Sequence, residues 1–190
     1  METVDSLVGN FLIAMPSLGD PNFRRSVVLL GAHSLDEGAF GLIVNRPLDI
    51  ELSVILDELG LEITKSDFPR VLAGGPVEPS HGFVLFELAD RPLESDDLLL
   101  PEGLTVSGNV ETLAAFASGG LSGTYSLILG YSGWHPGQLE TEIEENSWLV
   151  APLKTSIVFD VPYEDRWEAA LNSIGVDPGT LVDSGSATPA

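Results

Sequence analysis

Residues Leu129–Trp148 read LGYSGWHPGQLETEIEENSW and place a strand, a glycine-rich turn and a helix in succession. The strand is predicted over the apolar run Tyr125–Leu129, which ends at a glycine. The helix is predicted over Pro136–Asn146, because Leu139 and Ile143 stand at helical spacing in an otherwise acidic segment. A central strand that leads through a tight turn into an amphipathic helix is typical of domains that mix the two elements.

Outward from this stretch, short apolar runs bounded by Gly and Pro predict further strands. They cover Val8–Met15, Ser26–His33, Phe40–Asn45, Val71–Ala73, Gly82–Leu88, Leu104–Ser107 (as an edge strand), Trp148–Ala151 and Ser156–Asp160. Other helices are predicted over Ile50–Leu61, after the capping residue Ser107 or Asn109, and over Pro162–Ile174. Ser26–His33 shows little polar alternation, which is typical of a strand covered on both faces.

These elements lack the regular β-α-β alternation of a doubly wound sheet. We therefore predict a mixed α/β (α+β) fold with several hairpins and three or four helices. At 190 residues the chain is of ordinary size for one domain, so residues 1–190 are taken as a single domain. The small, polar ends at 1–6 and 183–190 are predicted to be flexible tails.

Charge is the strongest global signal. Eight Lys and Arg against 29 Asp and Glu give a formal net charge of −21. Affinity for nucleic acid depends mainly on cations that face phosphates, so we expect direct DNA binding to be disfavoured.

Other global features concern the compartment. The chain has no cysteine, and apolar runs such as Val27–Leu30 are far too short to cross a bilayer. The acidic start METVDS differs from the basic opening of a signal peptide. These features predict a cytoplasmic protein without a membrane partner.

Gly130–Trp134 has the spacing of a serine nucleophile elbow, Gly-x-Ser-x-Gly, except at its last position. Trp134 stands where close packing of strand and helix requires a tiny residue, so we interpret the segment as a structural glycine corner. The first amides of the following helix and the neighbouring Gly130 and Gly133 would still suit an anion or a carbonyl oxygen. Plain helix capping by Glu140 and Glu142 is the alternative.

Two further turns have the same ambiguity. The segment Gly74–Pro79, GGPVEP, exposes backbone amides as an oxyanion cradle would, or is a sharp turn between hairpins. In Asn45–Pro47, NRP, the cation Arg46 is a candidate clamp for a carboxylate or phosphate, or the partner of an internal salt bridge.

Motifs for cofactors and metals are absent. The sequence contains neither a P-loop nor Gly-x-Gly-x-x-Gly nor His-Glu-x-x-His, and His33, His81 and His135 lie far apart. We expect no cofactor and no metal site, and no nucleophile–base pair can be assigned.

Several sequence segments together resemble the YqgE/AlgH family of bacterial proteins. They are GNFLIAMPSLGDPNFRRSVVLL, GLIVNRPL, GGPV, GYSGWHPGQLETEI and DRWEAALNSIGVD, which follow the family order over nearly the whole chain. The resemblance implies an α/β domain with a bifurcated sheet folded into a partial barrel. It brings a label as transcriptional regulator but no established enzyme activity. Phe86 stands where the family pattern has a histidine, so histidine chemistry is not expected there.

The resemblance and the three glycine turns together suggest one shared ligand cleft. Its predicted lining is Asn45, Arg46, Gly74, Gly75, Pro76, Gly130, Tyr131, Gly133, Trp134, Gln138 and Glu140. We expect a non-enzymatic binding or regulatory protein whose cleft takes a small anion or a peptide. Two alternatives stay open: a hydrolase or transferase that uses the cleft as an oxyanion site, and a DNA-binding regulator, which the net charge disfavours.

Overall fold

The computed structural model describes residues 6–88 and 91–181. The ends predicted to be flexible lie outside these residues, apart from Ser6. Within them the chain forms nine strands and five α-helices. The strands are β1 Asn10–Ala14, β2 Val27–Ser34, β3 Gly38–Ile43, β4 Leu72–Ala73, β5 Val77–Glu87, β6 Leu98–Leu99, β7 Leu104–Ser107, β8 Tyr125–Trp134 and β9 Trp148–Pro152. The helices are α1 Leu52–Glu58, α2 Val110–Ser118, α3 Gln138–Glu144, α4 Thr155–Phe159 and α5 Arg166–Ser173.

The strands form one sheet in the order β6-β7-β5-β8-β3-β2-β1-β9, and β4 pairs with β8 outside this path. All pairings are antiparallel except the parallel pair of β4 and β8. The first and last strands of this order, β6 and β9, do not pair with each other within the described residues, so the sheet is not closed into a barrel. The predicted mixed α/β class is confirmed.

The sheet divides at β8. The first half of β8 pairs with β5 and β4, and the second half of β8 pairs with β3 through Ser132, Gly133 and Trp134. The expectation of a turn at Gly130–Trp134 is therefore wrong: the chain bends at Gly130, where φ is +76°, and continues as a strand. Residues 78–81 of β5 bulge out opposite this bend, because the register shifts between Val77 and Gly82.

Two other local predictions need correction. The segment predicted as the strand Ser156–Asp160 instead forms most of the short helix α4, so the described residues contain five α-helices rather than three or four. Its buried residues Ile157 and Val158 join the core that contains Trp167, and this packing outweighs their β propensity. The strand β7 is present as predicted but is not an edge strand, because β6 pairs with its outer side.

Both faces of the central sheet are covered. Along β1, Phe11 and Ile13 belong to one core cluster, and Leu12 and Ala14 belong to another. Because successive side chains of a strand point to opposite faces, the two clusters lie on opposite faces of the sheet. The same alternation occurs along β2, as its uninterrupted apolar sequence predicts.

Helix α5 is anchored to the first of these clusters by Trp167, Ala170 and Leu171. The indole Nε1 of Trp167 donates to the carbonyl oxygen of Ala14 at 2.9 Å, which fixes the helix to the end of β1. Glu168, the next residue, faces solvent. Helix α5 therefore presents one indole edge and one carboxylate beside the loop that leaves β1.

Candidate functional site

Two of the three predicted glycine turns meet. A Cβ atom added at Gly74 would lie 2.3 Å from the carbonyl oxygen of Gly130, and one added at Gly75 would lie 2.3 Å from the carbonyl of Tyr131. The pairing of β4 with β8 brings these backbones together. The glycines are thus required by direct backbone packing. Whether the exposed Pro76 and Gly133 beside this packing contact a ligand stays a prediction.

Ser132 lies inside this packing and is fully buried. Its Oγ donates a hydrogen bond of 3.0 Å to the carbonyl oxygen of Gly74. A buried hydroxyl whose proton is directed to a backbone carbonyl is not placed to attack a substrate. The interpretation of the segment as structural agrees with this geometry.

The third predicted turn, Asn45–Pro47, directs two side chains to the segment 22–27. The side chain of Asn45 accepts from the amide of Val27 at 2.9 Å and donates to the carbonyl oxygen of Arg25 at 2.8 Å. The guanidinium of Arg46 donates to the carbonyl oxygens of Asn22 and Arg24. Burial lowers the pKa of Arg46, and the nearby Asp20 partly opposes this change. Asn45 and Arg46 therefore hold residues 22–25 in place.

The remaining predicted residues are distributed over the end of β8 and helix α3. The indole groups of Trp134 and Trp148 both donate to Oε2 of Glu142, at 2.9 and 2.8 Å, and the side chain of Gln138 donates to Oε1 at 2.9 Å. Tyr131 packs its ring against Phe40, with the ring centroids 5.3 Å apart. Glu142 thus organises this end of the sheet as a shared acceptor.

Glu140 has a separate partner. Its Oε1 lies 2.5 Å from Nε2 of His33, whose side chain is 3% exposed, while Nδ1 of His33 accepts from the amide of Leu7 at 3.2 Å. Because Nδ1 is an acceptor, the ring proton is on Nε2, and Nε2 donates the hydrogen bond to Glu140. Burial alone would raise the pKa of Glu140, but the hydrogen bond from His33 and a backbone hydrogen bond lower it overall.

A concave surface lies beside Arg24 and Arg25, in the segment that Asn45 and Arg46 hold in place. We call it the Arg25–Trp167 cleft; its volume is about 490 Å³. One wall is the loop from Met15 to Pro21 with Arg24 and Arg25, and the other comprises Trp167, Glu168, Pro178, Gly179 and Leu181. This volume falls within the usual range of small-molecule sites, roughly 300–1,000 Å³.

Arg25 connects the two walls. Its guanidinium carbon lies 4.4 Å from the centroid of the Trp167 ring, and its Nη2 lies 3.3 Å from Oε1 of Glu168. The backbone of Arg25 has φ of +53°, a left-handed conformation that is uncommon for a residue other than glycine. Such conformations persist only where the surroundings impose them, and they are concentrated at functional sites. Here the surroundings include the hydrogen bond from Asn45.

Helix α5 is held rigidly behind this cleft. Arg166 is buried and donates to the carbonyl oxygens of Val44 and Val161, at 2.6 and 2.9 Å. Its guanidinium also stacks on the ring of Tyr163 at 4.2 Å. Burial lowers the pKa of Arg166, while Tyr163 and Glu164 act in the opposite direction. The second wall of the cleft is therefore fixed to the ends of β3 and the α4–α5 connection.

The sequence contains a signal for this cleft that the predicted lining does not include. The doublet Arg24-Arg25 supplies two of only eight cations, and it follows the turn-forming segment PSLGDP. The predicted residues Asn45 and Arg46 belong to its support. Trp167 and Glu168 could not be assigned to it, because only the fold brings α5 beside the loop after β1.

Within residues 6–88 and 91–181 no group of three or more His, Cys, Asp or Glu residues is arranged to hold a metal ion. None of the helices in that part of the chain is long and apolar enough to span a membrane.

Comparison with known proteins gives consistent matches over almost the full length. Residues 11–179 match the sequence pattern of a protein family described as AlgH-like. A UPF0301 protein from Magnetococcus marinus is 46% identical over 180 residues, covering 94% of this chain and 95% of the relative. A UPF0301 protein from Chromobacterium violaceum is 41% identical over 178 residues, covering 93% and 94% of the two chains.

Solved structures show the same architecture. The solution structure of the AlgH protein from Pseudomonas aeruginosa matches with a TM-score of 0.74 at 36% identity and covers 93% of each chain. The crystal structure of a protein from Corynebacterium diphtheriae matches with a TM-score of 0.71 at 26% identity, covering 90% of this chain and 89% of that one.

Proposed function

The chain belongs to the AlgH-like (UPF0301) family, and from that premise we propose that it is a non-enzymatic binding protein with a regulatory role. We place its ligand in the Arg25–Trp167 cleft. The observation that carries this proposal is the position of Arg25 over the indole of Trp167, at a concave surface that Arg24 also lines, in a chain with net charge −21. We propose the cytoplasm as its location, in keeping with the absence of cysteine.

The lining indicates the chemistry of the ligand. Arg25 and Glu168 have side chains that are 56% and 54% exposed, so their ion pair is accessible to solvent and exchangeable. A ligand carboxylate or phosphate would replace Glu168 as the partner of Arg25. Met15, Leu18 and Leu181 offer apolar contacts beside it. We propose a small anion with an apolar body, or a peptide with an acidic group.

Binding is favoured over catalysis by the groups in the cleft. Its lining, taken from the described residues, includes neither histidine nor cysteine, and its one serine, Ser17, donates to the carbonyl oxygen of Asn146 at 3.1 Å. Covalent catalysis by a hydrolase or transferase needs a side-chain nucleophile with a base within hydrogen-bond reach. DNA binding is disfavoured for a different reason, the repulsion between phosphates and the net charge of the chain.

A matched pair of probes tests the proposal. N-acetyl-leucine and its uncharged amide share one apolar body and differ in the anion. Titration of ¹⁵N-labelled protein follows the indole N–H resonance of Trp167, and thermal shift follows occupancy, because a ligand of the native state raises Tm. We expect the acid to shift the Trp167 resonance and the amide to leave it unchanged.

Two variants locate the binding. Arg25→Asn removes the cation but keeps a residue type that tolerates left-handed backbone. Arg70→Gln removes the same charge from an exposed arginine that pairs with Asp49 at 3.7 Å, away from the cleft. Loss of the response in Arg25→Asn alone would support the proposal. An equal response to acid and amide, or equal loss in both variants, would contradict it.

A further inference from the structure

A second concave surface lies between α1 and α2, over the sheet. We call it the α1–α2 groove; its volume is about 220 Å³. Its apolar walls and floor are formed by Ile55 and Leu59, by Val110 and Leu113 of α2, and by Leu127 and Leu129 of β8. It shares no lining residue with the Arg25–Trp167 cleft.

Large apolar side chains stand exposed at the rim of this groove. Leu59, which caps α1, is 50% exposed and Val110 is 46% exposed. Val54, on α1 itself, is another exposed apolar residue. Single exposed apolar residues are ordinary, but two that flank an apolar depression mark an interaction surface.

The depression depends on Gly82 in its floor. A Cβ atom at this position would meet Leu127 Cδ1 at 3.4 Å and Leu129 Cδ2 at 3.7 Å, which are ordinary contact distances. A larger side chain at residue 82 would therefore fill the groove without displacing the backbone. The volume is below the roughly 300 Å³ at which drug-sized sites begin, and suits an anchor side chain from a protein partner.

The rim is acidic. Glu58 and Glu111 are the sequence neighbours of the exposed rim residues Leu59 and Val110. Both are exposed, and neither has a salt-bridge partner among the described residues. A second copy of this chain would bring another net charge of −21 to the same surface. Charge complementarity favours a cationic partner instead.

We infer that the α1–α2 groove binds a basic amphipathic helix of another protein. The helix lies between α1 and α2, inserts an apolar anchor over Gly82, and places Lys or Arg side chains opposite Glu58 and Glu111. Two helices that flank an apolar channel are the receptor geometry for a helix in a groove, which is recognised by apolar anchors at helical spacing.

Two synthetic peptides of the same Leu and Lys composition provide the probe. In one, of about five helical turns, Leu recurs at i, i+3, i+4 and i+7; in the other, the same residues are scrambled to remove the apolar face. Binding to the full chain is measured by fluorescence anisotropy at about 0.15 M salt, where the Debye length is about 8 Å. We expect the amphipathic peptide to bind roughly tenfold more tightly or better.

The change in peptide affinity caused by Leu59→Glu distinguishes apolar contact from attraction by charge alone. The substitution removes an apolar rim contact and makes the surface more acidic. If only charge attracts the peptide, this variant binds as well as the wild type or better; if the groove receives an apolar face, it binds roughly tenfold less tightly. Gly82→Leu, which fills the groove without a change in charge, is expected to lose binding to a similar degree.

Leu35→Glu is the matched control. Leu35 is 48% exposed and lies in the connection between β2 and β3, so the substitution makes the same chemical change elsewhere. We expect it to leave the affinity unchanged, and thermal unfolding confirms that each variant is folded. Equal binding of both peptides overturns the inference, as does binding by Leu59→Glu at the wild-type level. Self-association of the free chain that Leu59→Glu abolishes also overturns it, because a second copy would then cover the groove.

Discussion

The guanidinium carbon of Arg25 lies 4.4 Å from the centroid of the Trp167 ring. Arg25 belongs to the connection between β1 and β2, whereas Trp167 belongs to α5. This contact therefore joins two walls of the Arg25–Trp167 cleft that are distant in the sequence. Asn45 and Arg46 hold the backbone of residues 22–25 from behind. An arginine that is positioned by others and paired with an exposed carboxylate is suited to exchange of its partner.

Glu168→Gln is predicted to strengthen binding of N-acetyl-leucine. The wild-type carboxylate competes with the ligand for Arg25 at 3.3 Å, and glutamine removes the competing charge but keeps the shape. Because an exposed ion pair contributes about 0.2–1 kcal/mol, the gain in affinity should be up to about fivefold. Isothermal titration measures it. Weaker binding in the variant would indicate that Glu168 contacts the ligand directly.

Glu142→Ala is predicted to destabilise the protein strongly. The substitution leaves the indole N–H groups of Trp134 and Trp148 without their acceptor, and both tryptophans are buried. Each buried donor left unpaired costs about 1–3 kcal/mol, so we expect the free energy of unfolding to fall by about 3 kcal/mol. Urea denaturation measures the change. Glu144→Ala, at an exposed position of the same helix, is the control and should change it little.

Gly74→Ala tests the packing of the two glycine turns. The new methyl group would lie 2.3 Å from the carbonyl oxygen of Gly130 and 2.6 Å from Ile128 Cγ2. Overpacking of this kind costs about 1–3 kcal/mol, and we expect a loss near the upper end because one contact is backbone. In Gly133→Ala, the new methyl group meets only the Tyr131 ring at 3.8 Å. Chemical denaturation of both variants should separate them; equal stabilities would contradict the packing argument.

The pair of His33 and Glu140 predicts a dependence of stability on pH. The folded-state pKa of Glu140 lies below its ordinary value of 4.5, so ionised Glu140 stabilises the fold at pH above 4.5. This contribution is lost as the pH falls through the folded pKa. Glu140→Gln should therefore be less stable than the wild type near pH 6, and the difference should shrink below pH 4.5. Denaturation of both proteins across this range measures it; a constant difference would refute the linkage.

Local patterns in the sequence predicted most of the fold. Apolar runs bounded by Gly and Pro located β1, β2, β3 and β9 with small errors at their ends, because these strands are buried on both faces or bounded by turns. The strand predicted for 156–160 is wrong, because its β-branched residues favour a strand only in isolation. The helical state of this segment depends on packing against α5, which lies later in the chain.

The site was harder to predict than the fold. The sequence predicts that a strand ends at Gly130, but the pairing of Ser132 and Gly133 with β3 extends β8 beyond it. The sequence predicts a glycine turn at Gly74 and Gly75, but only Gly75 has a positive φ, and the close backbone neighbours of both residues depend on the register between β4 and β8. Register is set by contacts distant in sequence, so residue spacing alone could not reveal which turns meet.

The division of the sheet at β8 has a consequence for synthesis on the ribosome. Strand β8 is the shared neighbour of β3, β4 and β5, and these three strands are all translated before it. Until residues 125–134 leave the exit tunnel, each of them has an open edge where its partner belongs, and such edges promote aggregation. The nascent chain therefore completes its sheet late, and chaperones that shield strand edges would matter most during the synthesis of the segment that precedes β8.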